Sequence, residues 1–422
     1  MYEKGDFILK KFLFSILLLI PIITFASDNT AFMIGNKAYD NLADAIANAN
    51  STDTIDMYSS ANLEETININ KTVNINLNGN NITAPHASFL VQGGSLNITG
   101  KGTIKENEPF YGAIRVIGNT TNTNEKYSTL NIGKDVSLEG WAGVFITHNS
   151  NKSYGVSVSI DGTIKAVSDT KGDTGIGVYV NGNIKHEDNH PVINITDNAK
   201  ITSNGTGLYI AGYSTFNIKD AYIEGIESGI GIKSGKLNID GATVVCTGED
   251  TTPTEGYNNG VKSSGTAIQI ESNNGYAGNM EIDISSGNIK SKNSSVIYEY
   301  IGNGTNTQVK SISISGGNFT SEANKNVFLL SNSFKSTHPS FISGGKYSSN
   351  PSDYLKSGYS ASFDNGVYNV SKSAMSVFKE NTNNSNNIFS KIITTIVILV
   401  IGIFAFMYRT KIINITKRIF NK

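Results

Sequence analysis

Apolar and polar side chains alternate over residues 67–69 and again over 73–78, with Ile67, Ile69, Val73, Ile75 and Leu77 on one face and Asn68, Asn74, Asn76 and Asn78 on the other. A period of two predicts strands with a single buried face. From Leu96 onward the same alternation returns as a repeat. A first strand reads "LNITGKGTI" at Leu96, "LNIGKDVSL" at Leu130, "VSIDGTI" at Val158, "INITDNAKI" at Ile193 and "FNIKDAYI" at Phe216. It continues as "LNIDGATV" at Leu237, "IDISSGNI" at Ile282, "ISISGGNF" at Ile312 and "FISGGKY" at Phe341. The central isoleucines Ile98, Ile132, Ile160, Ile195, Ile218, Ile239, Ile284, Ile314 and Ile342 fall 21 to 45 residues apart. Every copy but the last is followed by a second strand, as in "GAIRVIG", "GIGVYVNG" and "GTAIQIES".

One such pair of strands cannot fold alone. Each inward Ile or Val contributes roughly 1.5–3 kcal/mol, whereas each ordered backbone residue costs roughly 1–2 kcal/mol. Stacking lets neighbouring copies share a core and a hydrogen-bond ladder, so the repeat predicts an all-β solenoid, a parallel β-helix of about 9–11 rungs over residues 66–370. Rungs about 4.8 Å apart make a rod of roughly 45–55 Å. Ahead of it, residues 27–65 read as an N-terminal cap with a short helix, which Asp40 or Asn41 caps and in which Leu42, Ala45, Ile46 and Ala49 recur at helical spacing. The paired glycines of "ISGGNF" and "ISGGKY" align with Asp240-Gly241 and Ser286-Gly287, which makes them corners of the coil and not a phosphate or sugar cradle.

"YDNLADAIANANSTDTIDM" followed by "TVNINLNGNNIT" resembles the N-terminal cap of the pectin-lyase-like parallel β-helices of bacterial surface proteins. "ISGGNF" and "ISGGKYSSNPSDYLKSGYSASFDNGVYNV" resemble the closing portion of the same proteins, and the likeness covers roughly residues 31 to 370. It implies a right-handed coil. For function it implies a choice, since such proteins include lyases, hydrolases and adhesins.

Two apolar runs lie outside the repeat. Lys4, Lys10 and Lys11 precede Phe12–Phe25, and Ala26 closes a small-residue cleavage site, so residues 1–26 read as a secretory signal. Residues 392–408 carry no charge and are followed by Arg409, Lys411, Lys417, Arg418 and Lys422 without an acidic residue. They read as one transmembrane helix with a basic cytoplasmic tail, 409–422, and residues 371–391 as a polar stalk. A single-pass cell-membrane protein with most of its chain extracellular is expected. The Lys, Asn and Ile bias points to an AT-rich bacterial genome.

Without leader and tail the chain keeps 26 basic and 33 acidic residues, a net charge of −7, which argues against nucleic acid as a partner. Cys246 is the single cysteine and falls in phase with Val244 as an inward residue, so no intrachain disulfide supports the rod.

Enzymes of the family it resembles would carry an Asp-Asp pair, a Gly-His-Gly and an Arg-Ile-Lys, or several carboxylates for calcium with a basic residue; the three tripeptide and dipeptide signatures do not occur here. Arg115 in "GAIRVIG" is the sole arginine of the exported segment; it points outward between Ile114 and Val116, as a solvated strand residue or as a base. His148 in "FITHNSNKSYG" and His186, Glu187, Asp188 and His190 in "NGNIKHEDNHP" occupy equivalent loops of neighbouring rungs. They read as a polar surface or as a site for a divalent metal such as Zn²⁺; no other cofactor is expected. Trp141 in "LEGWAG", and Tyr298 and Tyr300 in "VIYEY", are candidates for stacking on a sugar ring or for covering a corner.

These features predict a non-catalytic, membrane-anchored surface scaffold that binds glycan or another surface protein. A polysaccharide lyase or glycoside hydrolase is the first alternative, and a wall-embedded structural protein the second. A groove with three or more carboxylates and a Lys or Arg would favour the enzyme; a smooth Ser/Thr/Asn face would favour the scaffold.

Overall fold

Each repeat forms one turn of a coil with three strands, where the sequence pattern reads as two. The computed structural model describes residues 31–108, 110–122, 128–148, 152–168, 174–253 and 263–374, together with residues 376, 395, 399 and 409. The leader 1–26, nearly all of the apolar run 392–408, most of the stalk and the tail beyond Arg409 therefore lie outside the described residues. Among the described residues no helix is long and apolar enough to cross a membrane.

The strands form three sheets of 12, 13 and 10 strands, here sheets A, B and C, and each turn visits them in that order. One turn consists of Ser95–Thr99 in A, Gly102–Glu106 in B and Ile114–Ile117 in C; another of Thr215–Lys219, Tyr222–Gly225 and Ser228–Ile232. The ten strands of sheet C, from Ile67–Ile69 to Phe328–Leu330, are all parallel. At about 4.8 Å per turn the stack is roughly 45 Å long. This is a β-helix.

The extra strand arises at the corner between A and B. In "LNIDGATV" the strand Ser234–Asp240 ends at the aspartate and Thr243–Cys246 begins two residues after Gly241, whose φ is +76°. Ile239 and Val244 both point inward across the bend, and so does Cys246, so the corner is easily passed over in the apolar pattern. At the double glycine, a Cβ on Gly316 would lie 2.3 Å from the Ser285 carbonyl oxygen of the turn below, and Gly317 has φ +100°. The first glycine permits the close stacking and the second the left-handed backbone.

Parallel register places like residues over like. Ile55, Ile75, Ile98, Ile132, Ile160, Ile195, Ile218, Ile239, Ile284, Ile314 and Ile342 stand in one buried column of sheet A. On the outer face of the same sheet, the asparagines bond from turn to turn: Asn97 to Asn74 at 2.7 Å, Asn131 to Asn97 at 2.6 Å, then Asn217 to Asn194 and Asn238 to Asn217 at 2.9 Å. Ser159 stands between the two runs.

At each end an antiparallel pair extends one sheet, sheet A at the first turn and sheet B at the last. The hairpin Phe32–Ile34/Lys37–Tyr39 lies antiparallel to Thr54–Met57, and helix α1, Leu42–Asn48, covers the core with Leu42, Ala45 and Ile46; Asn41 caps it by accepting the Asp44 N–H at 2.8 Å. At the other end helix α2, Asn332–Thr337, buries Phe334 beside Phe341, and the Phe319 and Tyr347 rings stack at 5.0 Å. The hairpin Tyr359–Asp364/Val367–Lys372 then lies antiparallel to Gly345–Tyr347.

Replacing Ile195 by Ala in the buried column should cost roughly 2–5 kcal/mol, and replacing Asn217 by Ala in the outer column only about 1 kcal/mol. Equilibrium urea unfolding of the two variants checks the order.

Candidate functional site

The strand Gly102–Glu106 buries Ile104, exposes Lys105 and returns Glu106 to the inward phase. At the corner from B to C there is backbone for that carboxylate to meet. Its Oε1 accepts the N–H of Tyr111 at 2.8 Å and of Gly112 at 2.9 Å, and its Oε2 accepts the N–H of Trp141 at 3.2 Å. Glu106 is 3% exposed. A Cβ on Gly140 would fall 2.6 Å from Oε2, so the glycine makes room for it. Burial pushes the Glu106 carboxyl up to about 7, against the backbone N–H bonds, which pull it down.

The loop held by Glu106 is strained and displays aromatic rings. Phe110 has φ +79°, a conformation bulky residues rarely adopt, and its side chain is 47% exposed. Its ring lies 5.6 Å from that of Trp141, and Tyr111 packs 4.2 Å from His86. Beside them opens a cleft of about 420 Å³ lined by Lys105, Glu106, Glu139, Trp141, Lys165 and Ser168, with Glu108 at its edge. Lys105, Glu139 and Lys165 stand in register on successive turns of sheet B, a plus-minus-plus row across the floor.

Two residues singled out in the sequence meet here. Trp141 is only 3% exposed and packs among Phe110, Phe145 and Tyr179, so it backs the cleft while Phe110 is the ring open to solvent. Arg115 points outward on sheet C between the buried Ile114 and Val116, and its guanidinium lies 5.7 Å from the Phe145 ring. Burial lowers its pKa, and the nearby Glu106 only partly opposes this. Arg115, Phe145, Tyr179 and Tyr209 form an axial row on successive turns. Tyr298 and Tyr300 share that face, 5.2 Å apart, but six turns from Arg115.

Four of the five residues considered for a metal, His186, Glu187, Asp188 and His190, are engaged by neighbouring groups. His186 Nδ1 faces the Asp188 carbonyl at 2.8 Å and its Nε2 accepts the Ser153 N–H at 3.2 Å. His190 Nδ1 faces the Glu187 carbonyl at 2.8 Å, with Nε2 at 2.6 Å from the Thr215 hydroxyl. Glu187 accepts from Asn279 and Asp188 from Asn122. Burial lowers the pKa of His148 and of His186. Among the described residues no three His, Cys, Asp or Glu side chains are grouped to hold a metal ion.

Comparison with protein-family models, with curated proteins and with solved structures finds no match to this chain. Glu106 was the residue missed by the sequence reading, though an acidic side chain two positions after inward Ile104 is a visible break in the pattern.

The raised Glu106 carboxyl has a signed consequence. The folded chain holds this proton more tightly than the unfolded chain, so its contribution is full below about pH 4.5 and declines as pH rises to about 7. The loss is on the order of 3 kcal/mol. Unfolding midpoints measured at pH 5 and pH 8 should differ less for Glu106→Gln than for the natural chain.

Proposed function

We propose that the chain is a non-catalytic, membrane-anchored surface protein whose β-helix is a rigid rod that binds glycan. The observation that carries this reading is the cleft at the B–C corner, where an exposed, strained Phe110 stands against Trp141 beside the row Lys105, Glu139, Lys165. A sugar ring presents an apolar face together with hydroxyl or carboxylate groups, and such a cleft offers a surface for both. Export and anchoring rest on residues 1–26 and on the uncharged run 392–408 with its basic tail. The right-handed coil rests on the strong preference of parallel crossovers for that hand. Likeness to pectin-lyase-like bacterial surface proteins rests on the quoted end motifs.

The enzyme alternative, a polysaccharide lyase or glycoside hydrolase, has one observation in its favour: Glu106, Glu108 and Glu139 share a cleft with two lysines. Against it, both oxygens of Glu106 are occupied by backbone N–H groups, and Glu108 pairs with His86 at 3.1 Å. Glu139 is left to act with Lys105 or Lys165.

A glycan array probed with the purified chain, followed by incubation with acidic and neutral polysaccharides with and without Ca²⁺, separates the two. The expected result is retention of a glycan without shortening, weakened about tenfold in Phe110→Ala, a loss of about 1.4 kcal/mol. Failure to retain any glycan overturns the proposal, and shortening of a polysaccharide transfers it to the enzyme reading.

A further inference from the structure

A second polar cluster lies on the outer face of sheet C, at the other end of the aromatic group that starts at Trp141. Lys233 is the single residue between the strands Ser228–Ile232 and Ser234–Asp240. Its Nζ meets Glu271 Oε2 at 2.9 Å, with the two side chains only 6% and 3% exposed. The other oxygen of Glu271, Oε1, accepts the Asn273 side-chain N–H at 2.7 Å. Asn273 Oδ1 in turn accepts the Gly275 N–H at 2.9 Å. The Tyr300 hydroxyl donates to Glu271 Oε2 at 2.8 Å and accepts from Gln269 at 3.2 Å. Lys233 Nζ lies 3.4 Å from the Tyr276 hydroxyl, 4.7 Å from the Tyr276 ring centre and 5.4 Å from that of Tyr209.

One carboxylate thus holds an amine on one oxygen and the amide nitrogen of an asparagine on the other. A backbone N–H is aimed at the asparagine oxygen, where negative charge would develop if the amide carbon were attacked. Aromatic rings enclose the amine. A buried ion pair alone returns little stability, and a reactive arrangement of nucleophile, leaving group and shared proton carrier gives the cluster a use.

We propose that Lys233 and Asn273 become joined by an isopeptide bond, with Glu271 carrying the proton. Burial pushes the Glu271 carboxyl up, and the Lys233 charge with the Asn273 and Tyr300 hydrogen bonds more than offsets it, so the resting pair is ionic. Transfer of one proton from the Lys233 ammonium to Glu271 leaves two neutral groups and a nucleophilic amine, at a cost that burial of the ion pair reduces. The free amine attacks Asn273 Cγ, forming the N–C bond, while the Gly275 N–H steadies the oxygen. Glu271 then protonates Nδ2, the Cγ–Nδ2 bond breaks, and ammonia leaves. The amine's second proton returns to Glu271 and is released with the ammonia as ammonium, so the carboxylate is regenerated and no oxidant or cofactor is consumed. The product is a covalent staple between consecutive turns, in a chain whose single cysteine forbids a disulfide within it.

Intact-mass spectrometry of the full purified chain tests this, with its N-terminus fixed from the digest. The mass should fall short of the sequence by one ammonia, trypsin should fail to cut after Lys233, and a branched peptide should join residues 233 and 273. Cyclisation at Asn273-Asn274 or Asn274-Gly275 to a succinimide would lose the same mass, but hydroxylamine opens a succinimide and leaves an isopeptide intact. Glu271→Gln and Lys233→Arg should show no such deficit. A full-mass natural chain, a deficit abolished by hydroxylamine, or a deficit that survives Glu271→Gln overturns the proposal. Should the variants not fold, presence or absence of the branched peptide in the natural chain decides alone.

Discussion

The hydrogen-bond ladder between successive turns is the constraint on which everything else in this molecule depends. Each turn donates to and accepts from the turn beside it, so the phase of one strand is inherited by the next. A side chain placed inward in one turn is therefore inward in all, which is how eleven isoleucines come to stand in one column. The same inheritance aligns the outer asparagines of sheet A, the Lys105, Glu139 and Lys165 row of sheet B, and the Arg115, Phe145, Tyr179 and Tyr209 row of sheet C. Only the corners escape it. There the chain can lengthen without disturbing its neighbours, and there the cleft is built.

Charged groups in the wall of the rod show what inheritance costs when it is broken. Glu106 sits in an inward phase but at the end of its strand, where backbone N–H groups of two turns converge on it. Glu299 follows Ile297 into the core outright and is held by the Ser272 hydroxyl and the Ser331 N–H. In both cases the carboxylate satisfies donors that a neighbouring apolar residue would have left unpaired. Glu106 thereby shapes the loop that carries Phe110 and Tyr111, linking a folding device to the wall of the cleft.

The isoleucine spacing, the helix that closes the first turn and the glycine corners were legible in the sequence because each depends on residues close together in the chain. Leu42, Ala45, Ile46 and Ala49 needed only a period, and Gly316-Gly317 only an alignment. The third strand of each turn was harder to see, because a bend at Gly241 keeps Ile239 and Val244 on the same inward side. The histidines were harder still. Equivalent loops do bring residues 153 and 186 together, but it is the Ser153 N–H and not a metal partner that reaches His186. Which atom of a neighbouring loop arrives first is set by side-chain packing across turns, and no local pattern encodes it. Glu106 falls between these cases, since its position against the alternation is visible while its partners come from two turns; Lys233 and Glu271 keep the outward phase, so nothing local distinguishes them from other exposed polar positions.

The antiparallel hairpins at the two ends have a consequence of another kind. A parallel coil is open-ended in principle, since its last turn offers the next chain the same ladder that its own turns used, and exposed edges of this sort recruit further strands. Here Phe32–Ile34 pairs with the first turn in the opposite direction, and Val367–Lys372 does the same to the last. At the first turn of sheet A and the last turn of sheet B the outermost strands therefore no longer continue the parallel ladder. A copy of the stack meets a reversed ladder at those two edges, so continuing the coil there would require its strands to change direction.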